Sequence, residues 1–108
     1  MKAYQSIDEL LDELPGLAAQ ARDKLRGHDG LFLIELKEGR KVWLRLADGE
    51  LIVADSASGA PDCTIRADGE TVLRLMAGEL SPMRALVTRR VTARGDVGRL
   101  TRLIQLML

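Results

Sequence analysis

The chain has 108 residues, the length of one domain, and is read as a single domain over residues 1–108. It is 46% hydrophobic and 30% charged, with 16 Lys and Arg against 16 Asp and Glu, so it has a folded domain's balance and no net charge to hold a nucleic-acid backbone. Three aromatic residues, one Cys and one His exclude base-stacking platforms, an internal disulfide and His/Cys metal cages, and no cofactor is expected.

Residues 1–9 hold no apolar stretch of the signal-peptide kind. No apolar run approaches the ~20 residues of a membrane span. The expected location is therefore cytoplasmic, and a lone Cys63 fits a reducing compartment.

Ser6-Ile7-Asp8-Glu9 is a capping box, and Ile7, Leu10, Leu11 and Leu14 follow at helical spacing. Leu14-Pro15-Gly16 interrupts that helix, because the residue before a proline disfavours the helical region. Leu17, Ala18, Ala21 and Leu25 restart the stripe, and Gly27 ends it. Two helical pieces with a bend at Pro15 are expected over residues 6–26.

The period then falls to two. Phe32, Ile34 and Leu36 alternate with Leu33 and Glu35, and Val42, Leu44 and Leu46 with Lys41, Trp43 and Arg45. Glu38-Gly39 and Asp48-Gly49 supply the turns, so residues 31–54 read as a three-stranded antiparallel meander. After a small polar loop, Cys63, Ile65 and Ala67 mark a fourth strand. Asp68 caps a helix carrying Val72, Leu73 and Met76, and Gly78 stops it. Ser81-Pro82 starts another, with Met83, Leu86 and Val87 as its apolar side. Residues 89–95 read as a fifth strand, and Asp96 caps a last helix with Leu100, Leu103, Ile104 and Met107 on one face. The fold class is α+β, with helices against one sheet.

Chemistry is sparse along this chain. His28 lies in a Gly-His-Asp-Gly turn, Cys63 on an inward strand face, and Ser56 and Ser58 lack a nucleophile elbow. Gly95-Asp96-Val97-Gly98 opens a helix but lacks a phosphate-loop pattern. Asp8 with Asp12 and Glu9 with Glu13 form a polar helix face. No catalytic constellation results, and the chain is not expected to be an enzyme. The neutral total hides an asymmetry. Residues 80–108 hold six Arg against one Asp, which reads either as an anion or membrane-surface patch or as a solvated face near the acidic start.

Four segments carry a family resemblance: Pro61-Asp62-Cys63-Thr64-Ile65, Gly78-Glu79-Leu80-Ser81-Pro82-Met83-Arg84-Ala85, the strand ending in Gly95-Asp96, and the apolar C-terminal helix. In this order they resemble the sterol carrier protein 2 (SCP-2) lipid-binding domain family, over nearly the whole chain. The resemblance implies a five-stranded, mostly antiparallel sheet, helices on one face, and an apolar cavity between. It also implies binding of fatty acids, acyl-CoAs, sterols or isoprenoids without chemistry on them. The lining it selects is Phe32, Ile34, Val42, Leu44 and Ile65 from the strands. From the helices it takes Leu73, Met76, Leu80, Met83, Leu86, Leu100, Leu103, Ile104 and Met107. Arg90 and Arg94 flank the last strand as candidates for a lipid or CoA headgroup. The partners expected are a lipid or acyl-CoA ligand and a transient membrane surface. The other reading is a filled core serving as an interaction module, either a homodimer or a dock for a lipid- or quinone-metabolising enzyme. The last residues, Leu103–Leu108, fit either a lid or an ordinarily docked helix.

Overall fold

The protein is seen in a computed structural model, and the residues described are 4–107. Helix α1 runs from Ile7 to Gln20. Ser6 Oγ accepts the Glu9 amide at 3.1 Å, while the Glu9 carboxylate accepts the amide of Gln5, one residue before the cap. Pro15 does not break this helix. It lies on the exposed side, where water can satisfy the carbonyl that loses its partner. The buried stripe Leu10, Leu11, Leu14 and Ala18 runs past it in register, so packing overrides the local preference. The break falls instead at Ala21, followed by the single turn α2, Arg22–Leu25.

Strands β1 (Gly30–Leu36), β2 (Lys41–Ala47) and β3 (Glu50–Ala54) form the expected meander. Its second turn has Asp48 at φ 50° and Gly49 at φ 78°, the two positive angles of a type I′ hairpin. Strand β4 (Cys63–Ala67) returns parallel to β1, and β5 (Val91–Gly95) pairs antiparallel with β4. The order β3-β2-β1-β4-β5 makes a mixed sheet in which only the β1–β4 join is parallel. Gly95 is required at the end of β5. Its φ is +93°, and a Cβ there would collide with the Asp62 carbonyl.

Three helices complete the chain: α3 (Gly69–Met76), α4 (Pro82–Val87) and α5 (Val97–Met107). Asp68 and Ser81 cap α3 and α4 through the amides of Thr71 and Arg84. Arg89, expected in the last strand, sits at φ 61° in the turn before it. Helix α1 lies over β3, α5 packs on β4 and α2, and α4 packs on β5.

Among the described residues no helix covers the sheet's other face, yet that face is not simply polar. Leu31 and Leu33 point there and are buried. Being on the central strand, they are flanked by Arg45 and Trp43 of β2 and, for Leu33, Thr64 of β4. Trp43 is half-buried by that contact.

Candidate functional site

Alternation along the strands sends one set of side chains towards the helices. From the sheet these are Ile34, Leu36, Val42, Leu44, Leu51, Ile65, Ala67 and Val91. Facing them are Ile7, Leu10, Leu11 and Leu14 of α1, Val72, Leu75 and Met76 of α3, and Leu100, Leu103, Ile104 and Met107 of α5. They do not close completely, and a cavity of about 120 Å³ remains between the layers. Every lining side chain is aliphatic or a thioether. The wall therefore offers no acid, base or nucleophile and no anchor for a charged group. What it can do is take apolar matter out of water.

Nine of the fourteen lining residues expected from the sequence meet at this cavity: Ile34, Val42, Leu44, Ile65, Met76, Leu100, Leu103, Ile104 and Met107. Five do not. Phe32 is buried in the main core beyond the cavity, its ring pressed under Gly30. Leu73 packs on the same core from α3 without reaching the void. Leu80 belongs to a separate cluster with Ala67, Ala85 and Val91. Met83 and Leu86 face solvent, because α4 seats itself through the small Ala85 on its opposite side.

The two arginines also lie elsewhere. Arg94 is out of phase with Val91 and Ala93, so its side chain leaves from the uncovered face, 3.8 Å from Glu35. Arg90 precedes β5, is exposed, and acts electrostatically on Asp68 at the start of α3. Neither borders the cavity, so a headgroup role inside it has no geometry to support it.

The largest omission from the expected lining was α1. Its stripe Ile7, Leu10, Leu11 and Leu14 was legible as a helix face, but nothing local said that the face looks into the cavity. Asp8 on its polar side pairs with Arg40 of the β1–β2 turn at 2.7 Å, which helps fix α1 across the sheet. Cys63 is buried, and burial raises its thiol pKa, with Asp96 adding to the effect. It is a small core residue with a protonated thiol. Helix α5 is a core element, with Leu100 and Leu103 buried, while Ile104 and Met107 line the void. Leu108 lies outside the described residues.

Helices on one face of a mixed sheet, with a wholly apolar cavity between the layers, define a small two-layer α+β domain. The SCP-2 sterol transfer family model matches residues 7–108, and the chain belongs to that family. A search of the curated proteins finds no match. Among solved structures, a sterol carrier protein-2 like-3 from Aedes aegypti is 21% identical, with a TM-score of 0.72 over 91% of this chain and 92% of that one. The UbiJ-SCP2 ubiquinone synthesis protein is 17% identical, with a TM-score of 0.70 over 91% and 92%. The sec-alkylsulfatase Pisa1 from Pseudomonas sp., in a double-mutant form, is 24% identical with a TM-score of 0.82 over 94% of this chain. The present chain spans 16% of that enzyme's length.

Proposed function

We propose that the domain binds the apolar chain of a lipid, such as a fatty acyl or isoprenoid chain, and carries or presents it unchanged. The observation that carries this reading is the composition of the cavity wall, apolar throughout and drawn from both ends of the chain. An empty void of about 120 Å³ costs roughly 3 kcal/mol at ~24 cal/mol per Å³. Filling it with a hydrocarbon recovers that energy. The void is smaller than the ~300 Å³ and above that ligands usually occupy. A long chain therefore enters by shifting a wall, and α5 is the wall at the chain's end. The palmitated SCP2L2 of Aedes aegypti shares this fold at 17% identity, which supports a fatty acyl occupant.

The lining contains no side chain able to move a proton or attack a carbonyl, which supports a non-enzymatic role for this domain. On this reading any chemistry on the lipid takes place outside this domain. The full-length likeness to UbiJ-SCP2 favours, as a second reading, an accessory protein that holds quinone or isoprenoid precursors. Among the described residues no helix is long and apolar enough to cross a membrane, in keeping with a cytoplasmic carrier.

Native mass spectrometry of gently purified protein tests the proposal. The expected result is added mass that organic solvent removes, and a raised Tm when palmitate is returned to the stripped protein. Bare protein with no Tm response to palmitate, acyl-CoA or a polyprenol would overturn it and leave the filled-core interaction module.

A further inference from the structure

The described residues expose four large apolar side chains, and three share one short helix: Met83 at 70%, Leu86 at 37% and Val87 at 73% relative exposure. Their i, i+3, i+4 spacing sets them in one stripe about 100° wide. Ala85 points away from it, into a cluster with Ala67, Leu80 and Val91. Helix α4 is thus amphipathic the wrong way round, with a methyl group inward and its large apolar face in solvent.

Arginines sit within and directly after that helix. Residues 80–95 contain Arg84, Arg89, Arg90 and Arg94 and no Asp or Glu. Arg94 leans towards Glu35 and Arg90 acts on Asp68. The ion pairs among the described residues include neither Arg84 nor Arg89. In a chain with no net charge, Arg84 on α4 and Arg89 just after it give the segment that carries the apolar stripe a local positive charge.

We propose that α4 docks the protein on an anionic lipid surface. Met83, Leu86 and Val87 enter the headgroup boundary, and Arg84, Arg89 and Arg90 engage lipid phosphates. Area and charge select this occupant. A stable protein interface buries ~800 Å² per partner, whereas six residues make a helix only about 9 Å long. A bilayer sets no such minimum. A second copy related by a two-fold axis would bring two arginine-bearing surfaces together. The docking goes beyond the carrier reading and does not depend on it, although the two surfaces adjoin. Ala67 and Val91, on which α4 sits, are also walls of the cavity, so one layer of side chains separates the inner side of α4 from the void.

Sedimentation of the delipidated full-length protein with vesicles tests docking separately from cavity binding. The vesicles are phosphatidylcholine alone, or with about a third phosphatidylglycerol. Binding is expected to the anionic vesicles only, and to weaken as salt is raised. Met83→Ser with Val87→Ser should weaken it at least tenfold by removing most of the stripe. Arg84→Gln with Arg89→Asn should weaken it about fivefold for each arginine lost. These side chains are exposed, so circular dichroism and Tm are expected to match the parent. Ile52→Ser, the fourth exposed apolar residue, lies on edge strand β3 and should bind as the parent does. Equal binding to neutral vesicles, or α4 variants that bind like the parent, would overturn the proposal. So would a parent dimer that the Met83/Val87 variant turns into a monomer, since the stripe would then cover a second copy.

Discussion

Leu31 and Asp62 are tied twice: the Asp62 amide donates to the Leu31 carbonyl at 2.7 Å, and the Leu31 amide donates to the Asp62 carboxylate at 2.8 Å. The pair opens the parallel seam between β1 and β4, and the Asp62 carbonyl also accepts the Asp96 amide at 2.8 Å, just after β5. One residue thus aligns three strands. Asp62→Ala leaves the part-buried Leu31 amide without its acceptor and is expected to cost about 1–3 kcal/mol. Asp62→Asn keeps an acceptor oxygen and should recover most of that loss. Urea denaturation of the two variants checks the order, and equal losses would refute the role given to the carboxylate.

Occupying the void should trade binding for stability. Ile34 sits on the central strand between Val42 and Ile65, and all three line the cavity. Ile34→Phe places extra carbon where the void lies. We expect Tm to hold or rise while palmitate retention falls at least tenfold. Leu103→Ala enlarges the void instead and should cost about 2–5 kcal/mol, part of it restored by added lipid. Lipid mass and melting curves recorded on both variants check this.

Acid should weaken the start of α3. The Asp68 carboxyl lies below its ordinary 3.8, first because it accepts the Thr71 amide at 2.7 Å, with smaller help from Lys37 and Arg90. A depressed folded value means that the contribution is complete above the unfolded value of about 3.9 and lost as pH falls through the lower folded one. Asp68→Asn still caps the helix but does not titrate. Near neutral pH its stability should be close to the parent's, and its loss of stability below about pH 4 should be shallower. Parallel denaturation curves against pH measure the difference.

Cys63 should be silent in the native state. Its thiol is buried and its pKa raised, so at neutral pH it is both hidden and protonated. Reaction with a thiol reagent is expected to run at the rate of structural opening, to rise in urea, and to slow when lipid is bound. Rapid labelling of the native protein would contradict the packing described.

The sheet was the most legible part of the molecule. Alternation along β1 and β2, and the Asp48-Gly49 turn, are local signals, and local signals suffice for hairpins. The helices were legible as helices, but not always as to what they face. Val72 and Met76 turn their stripe to the cavity as the pattern implies. On α4, Met83, Leu86 and Val87 show equally good spacing and face water. The difference lies in the partner surface: Ala67 and Val91 leave room only for Ala85. Pro15 shows the same precedence of packing over local preference. Its local cost is real, but the continuous stripe from Leu10 to Ala18 outweighs it. The position of α1 over β3 is a long-range fact with no local trace, which is why its four lining residues were not assigned to the site.

The parallel join of β1 and β4 divides the chain into two stretches, one ending with β3 and the other starting at β4, linked by the exposed loop of residues 55–61. Each stretch contributes one side of the cavity, α1 and the meander from the first, α3 and α5 from the second. A lipid in the void therefore touches both. Cut within that loop, the protein becomes two fragments that share a guest, and their reassembly should depend on the lipid. The same feature that makes the pocket would make the domain a split reporter for whatever it carries.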